Sequence, residues 1–349
     1  MLKRIAAAMM TVLLMCGCSD SREPAELAYV QMMGIDSTGV ALQILTIQGM
    51  TSGEDEGVPE FSVIYGKGET LAEALAEAEL SSSRRLFLGH CRLIVLASGT
   101  EGYTRTLRTL IDRSMISPAC EIAVAAKPFS IAECETEEKA VSTDEMLDIL
   151  ENYSKLGEVK KTTAAELFGG MLRSGQSATA PLLTAEDGRL YAVGTAAITE
   201  DGYAGQLSRR ASMGIALLCG KGAEPIITLE LENGCADLKL TGVRVKRSAA
   251  VTAGKLVYRP VLVTDAEIIS VEGEIESELL EYALENRLSE LMEAAVSESL
   301  VYGCDALELE LTARKYCGRD MRGVDFGEKL RRSGAEIAVY PTAECRVYG

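Results

Sequence analysis

The segment Cys91–Leu96 is a nearly unbroken apolar run, interrupted only by Arg92. It is too short for a stable helix and too apolar for a strand with one wet face. A strand covered on both sides fits it. Phe61–Tyr65 reads as an earlier strand, and Thr70 caps an amphipathic helix with Leu71, Leu75, Ala78 and Leu80 along one side. Strand, helix and strand in close succession predict a βαβ unit. A helix over Glu101–Met115 and a strand over Cys120–Ala126 repeat the pattern.

The surrounding segments extend the picture. Glu26–Ile35 and Val40–Gln48 alternate apolar and polar residues around Asp36-Ser37-Thr38-Gly39, as in a β-hairpin. Thr51–Glu60 is a polar, acidic loop. Helices are expected over Thr143–Leu156 and Thr162–Arg173, followed by a polar, flexible stretch from Ser174 to Gly188 that places the main boundary. Beyond it, strands are expected over Leu190–Thr199, Met213–Leu218, Pro225–Leu231, Leu238–Lys246 and Leu256–Val271. A long acidic helix then covers about Ile275–Val301, with Leu279, Leu280, Ala283, Leu288, Leu291 and Ala295 largely on one side. A shorter helical piece (Ala306–Lys315) and a closing strand (Glu336–Val347) end the chain. The expected class is α+β or mixed α/β: multi-lobed, with mixed sheets packed by helices and one long C-terminal helix. Its parts are 1–17, 18–186 and 187–349.

The first part is an export device. Lys3 and Arg4 precede an uncharged, mostly apolar run from Ile5 to Gly17. That run is too short to span about 30 Å of hydrocarbon but suits a secretory signal. It ends in Met15-Cys16-Gly17-Cys18 and gives way to polar Ser19-Asp20-Ser21-Arg22. This resembles a bacterial lipobox. Cleavage between Gly17 and Cys18 would leave Cys18 carrying an S-diacylglyceryl group, with its amine acylated or free. Two acyl chains anchor stably where one does not.

Charge sharpens this. The 349 residues hold 35 Lys+Arg against 52 Asp+Glu, a net −17, which becomes −19 once the signal is removed. Aromatics are 5% of residues, with no Trp. A nucleic-acid binder needs a basic face and stacking rings, and this composition argues against one. The negative total also opposes an anionic membrane surface, so the lipid is expected to hold the protein there.

No catalytic constellation emerges. A single histidine, His90, excludes a two-His metal site. Cys91 is next to it, but strand neighbours point to opposite faces, which disfavours a Cys–His pair. Gly66-Lys67-Gly68-Glu69-Thr70 lacks phosphate-loop spacing and reads as a turn and helix cap. Acidic groups such as Glu54/Asp55/Glu56 and Glu137/Glu138 read as solvated loop charge. Eight cysteines remain beyond the anchor (91, 120, 134, 219, 235, 304, 317 and 345), with no Cys-x-x-Cys among them. Fewer than four disulfides are expected, and Cys91, Cys120 and Cys219 suit buried apolar positions. No cofactor is expected.

Several stretches resemble the spore germination receptor C-subunit family, the Ger(x)C lipoproteins. The similarity lies in Gly17-Cys18-Ser19-Asp20-Ser21-Arg22-Glu23, Met33-Gly34-Ile35-Asp36, Gly68-Glu69-Thr70 and, most specifically, Arg84-Arg85-Leu86-Phe87-Leu88-Gly89-His90. It continues through Gly194-Thr195-Ala196-Ala197-Ile198, Gly205-Gln206-Leu207 and Tyr302-Gly303-Cys304-Asp305-Ala306-Leu307. The family's tryptophans after the lipidated cysteine and late in the chain are missing, which marks a divergent member. The resemblance implies a non-enzymatic lipoprotein on the outer face of the inner spore membrane. It would act in assembly or signalling with integral-membrane A and B subunits of a nutrient-germinant receptor. Two other readings stand beside it: a free-standing solute-binding lipoprotein with a cleft between its halves, and a thiol enzyme using Cys91 with His90.

Overall fold

A computed structural model describes residues 26–47, 59–135, 140–173, 175–219, 222–332 and 336–348. The signal segment, Gly17, Cys18, the acidic loop at 51–58 and the pair Glu137/Glu138 lie outside the described residues.

The first strands are β1 (Leu27–Ile35), β2 (Gly39–Ile47) and β3 (Pro59–Lys67), a meander of antiparallel neighbours. The β1–β2 turn is held as the sequence predicts. The Asp36 carboxylate accepts from the backbone amides of Thr38 and Gly39 at 2.7 and 3.1 Å. Next come α1 (Leu71–Leu80), the short β4 (Arg85–Phe87), a 3₁₀ turn (Leu88–His90), β5 (Leu93–Ala97), α2 (Tyr103–Asp112) and β6 (Glu121–Ala125). Thr70 caps α1, its hydroxyl accepting from the Glu73 amide. Ala74, Leu75 and Ala78 are buried, but Leu80 is 88% exposed, contrary to the expected stripe. It lies in the last turn, beyond the sheet the helix covers.

Every residue of β5 is buried. Ile94 and Leu96 enter one core, with α1 and α2, while Leu93 and Val95 enter a second on the opposite face. β5 pairs in parallel with β1 and with β6. Since β1 and β3 are both antiparallel to β2, β3 and β5 run the same way. The βαβ crossover is therefore real, but it spans two intervening strands rather than joining neighbours.

The sheet then takes in α3 (Pro128–Ala132), α4 (Thr143–Lys155), α5 (Ala164–Met171), β7 (Ala178–Glu186), β8 (Arg189–Thr199) and β9 (Gly202–Leu207). Ser142 and Thr163 each form a reciprocal capping box at the start of α4 and α5. The nine-stranded order is β3-β2-β1-β5-β6-β7-β8-β9, with β4 beside β1. The polar stretch expected from Ser174 to Gly188 is thus mostly a strand, largely buried, paired in parallel with β6. Its small residues (Ala178, Thr179, Ala180) suit a crowded sheet interior and look polar only in sequence. Asp187 and Gly188, both with positive φ (49° and 69°), make the tight turn into β8. The first sheet accordingly continues across residue 186.

The second lobe holds α6 (Arg209–Cys219), β10 (Ile226–Leu231), β11 (Gly234–Thr252), β12 (Lys255–Gly273), α7 (Ser277–Val301), α8 (Leu309–Tyr316), α9 (Phe326–Arg331), β13 (Ile337–Val339) and β14 (Thr342–Tyr348). Its sheet runs β10-β11-β12, with β13 and β14 in parallel along β12. Met213–Leu218, expected as a strand, belongs to α6. A short run apolar on every side carries no period, and here it is a helix enclosed by the sheet and α7. Gly214 permits that closeness, since a Cβ there would lie 2.1 Å from the Leu291 carbonyl oxygen. In α7, Leu280, Leu284, Leu288, Leu291, Met292 and Ala295 are buried, whereas Leu279 is 42% exposed.

The lobes are stitched at the ends of β7 and β9. Glu310 is 2% exposed, yet its carboxylate accepts from the Arg314 guanidinium at 2.7 Å and the Gly175 amide at 3.0 Å. The Asp305 amide donates to the Ser177 hydroxyl, and Ser208 donates its amide to Glu298. The described structure is thus α+β, with two mixed sheets and one long C-terminal helix.

Candidate functional site

The segment Arg84–His90 builds a surface feature at the start of β1. β4 pairs with the first residues of β1, bringing Phe87 level with Tyr29. The three rings of Tyr29, Phe87 and His90 meet edge-on or tilted, with centroids 5.3 to 5.9 Å apart. Leu86 and Leu88 turn inward to pack on the core beneath α1 and α2. Gly89 lets the Phe87 ring sit close, since a Cβ there would lie 2.8 Å from the tip of that ring and push it aside. Phe87 remains 37% exposed and His90 is exposed.

His90 and Cys91 part company as expected, though not by strand alternation: His90 ends the 3₁₀ turn and Cys91 caps it, two residues before β5. The imidazole joins the surface rings. The thiol is 2% exposed and donates to the Leu93 carbonyl at 3.5 Å. It also meets the Cys120 thiol at the entrance of β6. Hydrogen bonding to Cys91, and then burial, push the Cys120 thiol far above the ordinary thiol range. A thiol held that firmly protonated is a poor nucleophile. All eight cysteines among the described residues carry free thiols. Burial raises Cys304 to about 12 and Cys219 to about 11. No group of three or more potential metal ligands occurs among the described residues.

Two concavities stand out. A polar cleft of about 400 Å³ lies between the lobes, lined by Gln176, Glu200 and Asp201 from the first and by Tyr302 and Asp325 from the second. An apolar groove of about 660 Å³ runs between α4 and the β7–β8 turn, lined by Ile149, Tyr153, Leu156, Leu190 and Tyr191. A cleft between the halves is what the solute-binding reading requires, but its lining residues were not marked in the sequence, and the groove at α4 was not foreseen, because each joins segments distant along the chain. Near the cleft, Asp305 accepts from the amides of Leu309 and Glu310 at the start of α8. Burial nonetheless pushes its carboxyl up to about 6.

The lipidation residue Cys18 and the cleavage pair Gly17/Cys18 fall outside the described residues. No described helix is long and apolar enough to cross a membrane.

Comparison with known proteins gives three findings. Residues 20–185 match the family described as the spore germination protein N-terminal domain. Over 97 residues the chain is 32% identical to spore germination protein KC of Bacillus subtilis (strain 168). That alignment covers 25% of this chain and only 24% of the relative, so the match spans about a quarter of the relative's length. The crystal structure of the GerBC protein superposes with a TM-score of 0.56 at 12% identity, covering 91% of this chain and 97% of that one. At such identity the superposition speaks for the fold alone.

Proposed function

We infer that this chain, a member of the Ger(x)C family of spore germination proteins, serves as the lipid-anchored C subunit of a nutrient-germinant receptor. In this reading Cys18 carries the diacylglyceryl anchor and holds the folded body on the outer face of the inner spore membrane. The protein then acts in assembly or signalling beside integral-membrane A and B subunits, and performs no chemistry of its own. The family match over 20–185 carries the proposal. The separation of His90 from Cys91 agrees with it, since the one candidate nucleophile–base pair is not assembled.

The test has two arms. Wild-type protein should take up labelled lipid and float with membranes, whereas Cys18→Ala should do neither. Spores lacking the chain should lose germination to one nutrient class while germinating normally with a nutrient-independent trigger. Normal nutrient germination in its absence would overturn the role, and unlabelled but membrane-bound Cys18→Ala would overturn the anchor. The inter-lobe cleft favours a second reading, a solute-binding lipoprotein. That reading requires a small cationic or polar nutrient to raise the thermal midpoint of the purified protein, and loss of the shift in Asp325→Ala.

A further inference from the structure

The cations of this acidic chain are unevenly placed. Residues 81–120 contain six arginines (84, 85, 92, 105, 108 and 113) and only two acids, Glu101 and Asp112. The stretch is therefore positive by four charges within a chain of net −17.

The fold gathers much of this excess at one end. β1, β5 and β6 are mutually parallel, so all three begin at the same end of the first sheet. Arg92 immediately precedes β5 at that level. α1 and α2 each return antiparallel to the strands before them, which brings Leu80 and Arg113, at or just beyond their last turns, to the same end, with Arg108 about one turn further back. β1 starts five residues before its level with Leu93, and β4 pairs alongside this overhang. At about 3.3 Å per residue the overhang projects roughly 16 Å. It carries Arg85 and the Tyr29–Phe87–His90 rings outward. Phe87 is 37% and Leu80 88% exposed. Three acids near this end face cations, Glu79 on Arg85, Asp144 on Arg92 and Glu121 on Lys161, while Asp112 and Glu26 lie there beside the arginines. Arg108 and Arg113 are exposed and make no ion pair among the described residues.

The chain also enters the fold here. From Cys18 to Glu26 there are nine residues, which reach at most about 30 Å fully extended. We propose that this end of the first sheet is a docking face for an anionic lipid surface, with Phe87 and Leu80 at the interface and the arginines over the headgroups. The proposal rests on the Cys18 anchor for its geometry. Aromatic and aliphatic side chains flanked by cations suit the boundary between headgroup and acyl chain. The anchor confines the body near the bilayer, and the entry of the chain at β1 puts this end next to the tether. The acidic remainder is repelled outward by the same surface.

The absence of tryptophan supplies the probe. Phe87→Trp and Leu80→Trp each place a single tryptophan at the proposed face, and Tyr348→Trp places one in the second lobe. Full-length lipoprotein carrying each is reconstituted in phosphatidylcholine vesicles with and without 30 mol% phosphatidylglycerol, as a chosen composition of order one-third anionic lipid. Brominated acyl chains should quench Phe87→Trp or Leu80→Trp at least about threefold more than Tyr348→Trp, and more so in anionic vesicles. Adding Arg85→Gln and Arg113→Gln should remove the anionic preference. Equal quenching at all three positions would overturn the proposal. So would shielding of Phe87→Trp that needs co-reconstituted membrane subunits, which would give this end to a protein partner. Flotation of Cys18→Ala reports the anchor separately, so loss of the tether and failure of the face are distinguishable.

Discussion

The two sheets solve the burial problem differently. The nine-stranded sheet has helices on both faces, and its central strand β5 has no exposed residue. The five-stranded sheet packs one face against α6, α7 and α8, while its other face alternates Lys239, Thr241, Arg244, Lys246 and Ser248 outward. A doubly covered strand must be apolar at every position, whereas a singly covered one constrains every second position. The first sheet should therefore punish substitution along its whole centre and the second only on its inner side.

Four measurements can break or sharpen this contrast. The largest effect is expected where the second lobe's helices touch. Gly214→Leu drives a side chain into the α7 backbone and should cost about 3 kcal/mol or more in urea unfolding, or abolish folding. Next, Leu93→Ala in β5 should cost about 2–4 kcal/mol, while Val263→Ala on the open face of β12 should cost under about 1 kcal/mol. Equal costs would erase the distinction between the sheets.

The third effect concerns pH at the junction. Asp305 ionises near 6 when folded but near the ordinary carboxyl value when unfolded. Its contribution is present at low pH and is lost as pH rises through about 6, since ionisation is penalised only in the fold. Relative to wild type, Asp305→Asn should gain roughly 1–2 kcal/mol between pH 4 and pH 7, allowing for the side chain's partial contact with solvent. A pH-independent difference would refute this. Smallest should be Arg209→Ala, which breaks an exposed ion pair with Glu158 and should move stability by no more than about 1 kcal/mol, less in high salt.

Much of the first sheet was legible because period and punctuation agreed. Asp36–Gly39 marked a hairpin, Thr70 a helix start, and Cys91–Leu96 a covered strand, and all three stand. Failure came where composition imitated something else. Ala178–Glu186 is rich in small and polar residues and read as a linker, although the Asp187-Gly188 pair signalled a tight hairpin turn. Met213–Leu218 is apolar throughout, so no period separated strand from enclosed helix. At the surface, Arg84–His90 was visible as a motif. Its aromatic contact with Tyr29 was not, since only strand pairing brings residues so far apart in sequence together.

The pairing of β7 with β8 bears on how the protein can be divided. β7 meets β8 at nine positions, and β8 in turn meets β9. Tyr302, at the end of α7, then closes over Gly205 and hydrogen-bonds the Gln206 carbonyl. A fragment cut at residue 185, where the family match ends, would keep β7 but strip away everything that shields its outer side. Such a piece would present a long row of unsatisfied amides and carbonyls to its neighbours and invite strand-to-strand aggregation. The family match thus ends within β7, one strand short of the partner that pairs with it at nine positions.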